Sequence, residues 1–182
     1  MSVSVPQGLG PWTVDDLPED GRRYELLDGW LIVSPAAAPR HELAAGELAF
    51  VLKTHLARQR VLSPVGVDFA NATYLVPDLA VTAEGVDVWN VRHLGPGDVD
   101  LVVEVVSPGS TRHDQVIKRA RYAAEGIAAY WIVETDPDLV LTALELRPDA
   151  QAYVEVGRWS GDDTVSLDRP FPVSFRLSEL RG

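Results

Sequence analysis

The chain has 182 residues, of which 46% are hydrophobic and 24% charged, so one globular domain with a substantial core is expected, and the absence of cysteine excludes disulfides, thiol nucleophiles and thiolate zinc sites. No apolar run approaches the ~18 residues that a membrane span needs, and the first residues do not resemble a signal peptide, so we expect no membrane partner and a cytoplasmic location. The formal net charge of −11 counts against a strong non-specific DNA binder.

The first part of the chain predicts a short helix, a hairpin and a long helix. Thr13 is a suitable N-cap for the short helix. Residues 24–33 are two β-prone runs joined by Asp28-Gly29, a dipeptide typical of a tight hairpin turn. Leucines at four-residue spacing predict an amphipathic helix over residues 41–58. Glu47 lies at the edge of its apolar stripe, as either a surface residue or a residue aimed into a site.

The middle of the chain predicts a sheet with one strand–helix–strand unit. Its strands are expected over residues 61–69, 73–82, 101–106 and 129–134. Residues 84–98 are a loop or short helix that could act as a lid. A helix over residues 111–125 links the last two strands, and a crossover between parallel strands is its expected form. Its buried stripe is expected to consist of Val116, Ile117, Ala120, Ala123, Ala124 and Ile127.

The last part of the chain has β character. Short strands are expected over residues 139–146, 152–156, 164–167 and 173–175, where they extend or flank the central sheet. No repeat, low-complexity tract or linker suggests a second domain. The predicted fold is therefore α/β and a single domain over residues 1–182, with a central mixed sheet, the helix over residues 40–58 on one side and the helix over residues 111–125 nearby.

Glu104 is the most informative polar residue, because it lies in a strand otherwise made of Leu and Val. Burying an unpaired carboxylate is costly, so Glu104 is either half of a buried ion pair or a functional carboxylate. Asp78, after Pro77, is a weak candidate alone, since Asp at such a place is often a turn or cap residue. Two neighbouring carboxylates repel each other unless a cation lies between them, and hard oxygen ligands suit Mg²⁺ or Mn²⁺.

Lys118 is one of two lysines in a chain with 14 arginines, which indicates a need for its compact ammonium group. If its helix folds back over the sheet, Lys118 reaches the level of Glu104. The alternative is a surface pair of Asp114 with Lys118 at i,i+4 spacing. Tyr122, one turn further, could line the same face.

Three arginines near Lys118 are candidates for nucleic-acid binding: Arg112, Arg119 and Arg121. They could make one face of the helix locally positive, although an ordinary solvated helix face is an equally good interpretation.

The motifs around these residues are Pro77-Asp78, the run from Glu104 to Thr111, and Asp114-x-x-x-Lys118-x-x-x-Tyr122, followed by Gly126 and Tyr130-Trp131. Together they resemble a large bacterial family of putative restriction endonucleases within the PD-(D/E)xK nuclease superfamily. The segment over residues 24–29 and the helix that opens at His41 are similar to that family too.

This resemblance implies a restriction-endonuclease-like fold, with Asp78 and Glu104 as metal ligands and Lys118 as the third catalytic residue. Val106 stands where the superfamily most often has its lysine, and Lys118 on the following helix would take that role. Glu47 and His41, together with Asp114 and Tyr122 on the helix of Lys118, would line the site. The implied activity is metal-dependent hydrolysis of DNA phosphodiester bonds, and a homodimer would suit duplex cleavage.

Two other interpretations stay open. The chain could be a catalytically silent nucleic-acid-binding or regulatory module on a nuclease fold. It could also be an α/β protein that binds no nucleic acid, in which Asp78, Glu104 and Lys118 form a buried ion network.

Overall fold

A computed structural model describes residues 11–182 except residues 35, 70, 107–111, 148 and 150–151, and the side chains of residues 112–115 also lie outside the description. The predicted cap of the second helix, at residue 110 or 111, therefore falls outside the described residues. No helix in the described part of the chain is long and apolar enough to cross a membrane.

The described residues form two α-helices, twelve β-strands and four short 3-10 helices. The α-helices are α1 (Pro39–His55) and α2 (Arg112–Ala124). The strands are β1 (Tyr24–Leu27), β2 (Trp30–Val33), β3 (Val61–Leu62), β4 (Val67–Phe69), β5 (Thr73–Leu75), β6 (Leu79–Thr82), β7 (Val99–Val106), β8 (Ala129–Glu134), β9 (Val140–Arg147), β10 (Ala152–Ser160), β11 (Thr164–Leu167) and β12 (Val173–Arg176). The 3-10 helices are Val14–Asp16, Arg58–Arg60, Pro96–Asp98 and Leu177–Arg181.

The main sheet has six strands in the order β10-β9-β8-β7-β6-β3. Strands β7 and β8 are parallel and joined through α2, which is the predicted crossover, and the other pairs in this sheet are antiparallel. A second sheet has the order β2-β1-β5-β4, and β11 pairs with β12. Strands β9 and β10 therefore extend the central sheet, whereas β11 and β12 form a separate hairpin.

The hairpin of β1 and β2 forms where Asp28-Gly29 predicted it. Both residues have positive φ, 49° and 80°, as a tight two-residue turn requires. Strands β3 to β6 are shorter than the two strands expected from the sequence. Pro64 and Pro77 lie in the gaps between these strands, where no ladder hydrogen bond needs the N–H that proline lacks.

The two helices cover opposite faces of the six-stranded sheet. Leu48 and Leu52 of α1 are fully buried in one cluster with Val103 of β7. Tyr122 of α2 is fully buried in another cluster with Val102, the neighbouring residue of β7. Successive side chains of a strand point to opposite faces, so the central strand contributes to both layers.

The expected buried stripe of α2 was partly wrong. Val116 is 65% exposed, and Ala120 and Ala124 are also exposed. Ala123 and Ile127 are buried as expected, and Lys118 and Tyr122 are the further buried residues of this face. A long polar side chain can bury its stem while its polar end finds a partner. A pattern that counts only apolar residues therefore passes over Lys118 and Tyr122 and selects exposed alanines and a valine.

The segment over residues 84–98 is a loop that ends in the short helix Pro96–Asp98. It is anchored by Leu94, which is buried and accepts a hydrogen bond from the Asp68 backbone at 2.8 Å. Trp89, in its middle, is 90% exposed. Its action as a lid stays a prediction.

Candidate active site

Strand pairing brings the two predicted carboxylates together. Leu79 of β6 is opposite Val103 of β7 in an antiparallel register. The next pair along this register is Asp78 with Glu104. Cβ atoms of residues directly opposite each other lie about 5 Å apart, so the two carboxylates meet at the end of β6. Both residues are buried, at 5% and 7% exposure.

The two oxygens of Asp78 have different roles. Oδ2 accepts a hydrogen bond from the backbone N–H of Val105 at 2.7 Å and contacts His41 Nε2 at 3.1 Å. Since an ionised carboxylate can only accept, His41 donates in this contact. Oδ1 faces Arg23, whose Nη1 lies 2.5 Å away. One oxygen is thus fixed by the protein framework and the other meets a cation.

Glu104 shows the same division. Its Oε1 accepts hydrogen bonds from Tyr122 Oη at 2.8 Å and from Lys118 Nζ at 3.2 Å. Its Oε2 faces Arg23, with Nη2 at 4.0 Å. The helix α2 thus holds one oxygen of Glu104, and the other oxygen is directed toward the same guanidinium that contacts Asp78.

A third carboxylate completes the cluster. Glu25 of β1 is 2% exposed, and its Oε1 accepts hydrogen bonds from Lys118 Nζ and from the Val76 backbone, both at 2.8 Å. Lys118 therefore joins Glu25 of the four-stranded sheet to Glu104 of the six-stranded sheet. The alternative interpretation of Lys118 as a surface residue is wrong, because Lys118 is 6% exposed and bonded to two buried acids.

The environments of the two facing carboxylates shift their pKa values in opposite directions. Burial alone would raise the pKa of Asp78, but the hydrogen bond from His41 and the charge of Arg23 outweigh it and lower this pKa. Burial raises the pKa of Glu104 to about 7, although Lys118 opposes the shift. Burial would lower the pKa of Lys118, but the charges of Glu104 and Glu25 raise it, so the ammonium stays protonated.

The structure brings together most, but not all, of the predicted site residues. Asp78, Glu104, Lys118, His41 and Tyr122 belong to one contact network. The backbone of Asp114 belongs to α2, but its side chain lies outside the described part, as does that of Arg112.

Glu47 and the described α2 arginines lie apart from this network. Glu47 is partly buried on α1, and within the described part of the chain no hydrogen bond or ion pair joins it to the cluster. Arg119 donates to the Tyr153 carbonyl at 3.0 Å, and Arg121 contacts Asp28 at 2.5 Å. The site-lining role of Glu47 and the DNA-binding role of the arginines stay predictions.

Sequence reasoning missed Arg23 and Glu25. A signal for Glu25 was present, because it is an acid in the apolar run Tyr24–Leu27, the same pattern that singled out Glu104. Arg23 precedes this strand and carries no such pattern. Its partners Asp78 and Val76 are 55 and 53 residues away in the chain, so a local motif does not encode its placement.

A cleft opens beside Asp78. A cavity of about 390 Å³ is lined by Arg22, Arg23, His41, Ser63 and Asp78 among others. A second cavity, of about 520 Å³, shares Arg22 and Arg23 with the first and is also lined by Arg92 and His93. Of the cluster carboxylates, Asp78 therefore lines a cleft, together with Arg22 and Arg23, and Glu42 lies on the same wall.

The donor set fits a hard divalent cation. No group of three or more His, Asp and Glu side chains with metal-binding geometry occurs among the described residues. Mg²⁺, however, commonly binds through one or two carboxylates and keeps several waters that substrate phosphates can replace. Asp78 Oδ1 and Glu104 Oε2 form such a pair, and the guanidinium of Arg23 marks the position between them as one that accepts positive charge.

Comparison with known proteins points to one family. A family model, Uma2, described as "Putative restriction endonuclease", matches residues 13–179. The chain is also similar to a crystal structure described as a putative nuclease belonging to DUF820 from Anabaena variabilis ATCC 29413. The TM-score is 0.71 at 18% identity, over 93% of this chain and 97% of that chain. No curated protein matches the chain.

The structural likeness confirms the predicted restriction-endonuclease-like α/β fold. The family model spans nearly the whole chain, including every element that contributes to the carboxylate cluster. The chain therefore belongs to the Uma2 family of putative restriction endonucleases.

Proposed function

We propose that this protein is a metal-dependent endonuclease that hydrolyses phosphodiester bonds in DNA, with Mg²⁺ or Mn²⁺ as its cofactor. Membership of the family supports a nuclease. The observation that supports metal dependence is the arrangement of the four carboxylate oxygens of Asp78 and Glu104. Asp78 and Glu104 each have one oxygen fixed by protein donors and one directed at a common cationic position.

The bound metal ion would polarise the scissile phosphate and lower the pKa of an attacking water. Asp78 Oδ1 and Glu104 Oε2 would hold it. His41 and the Val105 backbone orient the Asp78 carboxylate through Oδ2. Tyr122 and Lys118 do the same for Glu104 through Oε1. Such outer contacts keep ligand oxygens in place and raise metal affinity.

Lys118 would act as a fixed positive charge and hydrogen-bond donor. The charges of Glu104 and Glu25 raise the pKa of Lys118 and favour its protonated ammonium group, which suits a hydrogen-bond donor better than a general base. A protonated amine beside Glu104 can orient the attacking water and stabilise negative charge as it develops on the phosphate. Its contact with Glu25 fixes the direction of the amine.

DNA would reach the metal position through the cleft lined by Arg22 and Arg23. Local positive charge of this kind offsets the overall charge of −11, because contacts with phosphates act over short distances at physiological salt. Cleavage of both strands of a duplex would need two such sites, which a homodimer with two-fold symmetry provides. Sedimentation velocity with and without duplex DNA would test the dimer.

The proposal is tested by incubating supercoiled and linear DNA with the purified protein and Mg²⁺, Mn²⁺ or EDTA. We expect cleavage with either metal and none with EDTA. Asp78→Asn and Lys118→Ala should lower the cleavage rate by about 10²-fold or more, since each removes a charge that acts in the transition state. Lys53→Ala is the matched control, because Lys53 is the other lysine and lies in the last turn of α1.

Two outcomes would contradict the proposal. Cleavage that survives both Asp78→Asn and Lys118→Ala would remove these residues from the site. Tight, specific DNA binding without cleavage under any metal condition would instead indicate a catalytically silent nucleic-acid-binding module.

A further inference from the structure

Arg23 faces both candidate metal ligands, Asp78 and Glu104. In each carboxylate it faces the oxygen that accepts no other hydrogen bond described above. Nη1 lies 2.5 Å from Asp78 Oδ1, and Nη2 lies 4.0 Å from Glu104 Oε2. Nη2 also donates to the Val76 carbonyl. A single guanidinium thus lies between two carboxylates that a divalent cation would have to bridge, so the two cations compete for one position.

The hydrogen bonding of Arg23 is incomplete in this position. Its Nε is buried and has no acceptor among the residues that the structure describes. An unsatisfied buried donor is costly, so the position is held by charge rather than by a complete set of hydrogen bonds. The side chain is 27% exposed and forms part of the walls of both cavities, whereas the side chain of Lys118 is 8% exposed. Arg23 therefore has open space beside it.

The carboxylates of the cluster already have cationic partners. Three carboxylates lie among three cationic or titratable side chains: Glu25, Asp78, Glu104, Arg23, His41 and Lys118. A divalent cation added beside these partners would place further positive charge in a mostly buried site, which is unfavourable at low dielectric. Departure of the one cation that occupies the bridging position relieves both the excess charge and the steric conflict.

We propose that Arg23 is an exchangeable counter-cation: a divalent metal ion replaces it between Asp78 and Glu104, and the displaced guanidinium turns into the cleft and binds a DNA phosphate. This inference rests on the proposed function for the identity of the phosphate ligand. Guanidinium groups bind phosphate and carboxylate oxygens with similar geometry, so one side chain can serve both positions. Arg23 then links metal binding to DNA binding.

The first half of the proposal is tested by calorimetric titration of the full chain with Mn²⁺ in the absence of DNA. Arg23→Gln should bind Mn²⁺ about tenfold more tightly than the wild type, because the competing charge is gone. Arg158→Gln is the matched control. It removes the same charge from a residue whose ion pair is with Glu134 and not with the cluster, and it should leave the affinity unchanged. Unchanged or weaker Mn²⁺ binding by Arg23→Gln would overturn the exchange.

The second half is tested by fluorescence anisotropy of a labelled DNA duplex, either in EDTA or in saturating Ca²⁺, a divalent probe that seldom supports cleavage. Arg23→Gln should weaken DNA binding about fivefold or more in Ca²⁺ but little in EDTA, where Arg23 is held by the carboxylates. An equal loss in both conditions would mean that Arg23 contacts DNA without exchange, and no loss in either would remove it from the DNA site.

A measurement on the wild-type protein avoids dependence on the folding of a variant. Crystals soaked in Mn²⁺ should show the anomalous signal of the metal between Asp78 and Glu104, with Arg23 turned into the cleft. A bound metal with Arg23 still in place would overturn the exchange. Tighter Mn²⁺ binding by Arg23→Gln, without any cleavage by the wild type, would contradict the nuclease proposal alone. Cleavage by the wild type, with the same Mn²⁺ affinity in Arg23→Gln as in the wild type, would contradict the exchange alone.

Discussion

The two faces of strand β7 differ in what they bury. The side chains that share the α1 layer are all apolar: Leu101, Val103 and Val105. On the α2 face, Val102 is followed by Glu104, whose carboxylate meets polar groups of the helix. One strand thus separates a conventional core from a charged cluster, at the same depth within the molecule.

The two faces of β7 are therefore expected to contribute to different properties, the apolar face to stability and the polar face to catalysis. The apolar face gains free energy from burial and needs no partner groups. The polar face holds an acid whose ionised form is disfavoured by burial, since the pKa of Glu104 rises to about 7. A sheet that needed only stability would have no reason to keep a carboxylate there. Substitutions on the two faces should therefore affect different measurements.

The largest expected effect is on catalysis, from Glu104→Gln. The amide keeps the size of the side chain and an oxygen for the hydrogen bonds from Tyr122 and Lys118, but it removes the charge that would bind the metal. We expect single-turnover cleavage of supercoiled DNA to fall by about 10³-fold, equivalent to about 4 kcal/mol. The free energy of unfolding in urea should change by about 1 kcal/mol or less, because a costly buried charge is removed together with its ion pair.

A large loss of stability with a proportional loss of activity would contradict this separation. In that case Glu104 would be half of a structural ion pair, as in the buried-network interpretation of the sequence.

The second effect is on stability, from Leu101→Ala. Leu101 is 0% exposed and packs in the α1 layer, so its truncation leaves a cavity and should lower the free energy of unfolding by about 2–5 kcal/mol. Urea denaturation measures this loss. The affinity of the remaining folded protein for Mn²⁺ should equal that of the wild type, and a change of more than about threefold would show that the two faces are coupled.

The third effect is a pH dependence that belongs to the polar face. Burial raises the pKa of Glu104 from 4.5 to about 7. Between these values the folded state binds more protons than the unfolded state, so the contribution of Glu104 is fully present below about pH 4.5 and is lost as the pH rises through about 7. The unfolding free energy of the wild type, relative to Glu104→Gln, should fall by up to about 1.4 kcal/mol per pH unit across this window.

Urea titrations of both proteins at several pH values from about 5 to 8 measure this difference. The other titratable groups of the cluster are present in both proteins, so the comparison isolates position 104. A difference that stays flat, or that grows with pH, would show that Glu104 is ionised in the folded state throughout.

The sequence predicted elements wherever a local rule governs the outcome. Asp28-Gly29 predicts its turn because few other dipeptides tolerate two positive φ angles, and the observed turn has both. The apolar run ending at Val106 predicts a central strand because covered strands bury both faces. Glu104 stands out against that run, so the centre of the candidate site was found from the same pattern that identified the strand.

The rest depended on contacts between distant parts of the chain. Glu25 and Lys118 are 93 residues apart, and Arg23 and Asp78 are 55 residues apart, so no local pattern relates them. The apolar periodicity of α2 also misled the prediction of its inner face. A periodicity count scores Lys118 as surface, but two buried acids supply the partners that make its burial favourable.

The smallest expected effect tests that correction of α2. Val116 is 65% exposed, so Val116→Ala should change the free energy of unfolding by no more than about 0.5 kcal/mol. Ile127, which the same periodicity assigned to the buried stripe, is 0% exposed, and Ile127→Ala should cost about 2–5 kcal/mol. Urea denaturation of the two variants side by side measures the contrast. Comparable losses would mean that Val116 is buried and that α2 has a different rotation about its axis. Because Val116 and Lys118 lie on the same helix, that rotation would also direct Lys118 away from Glu104.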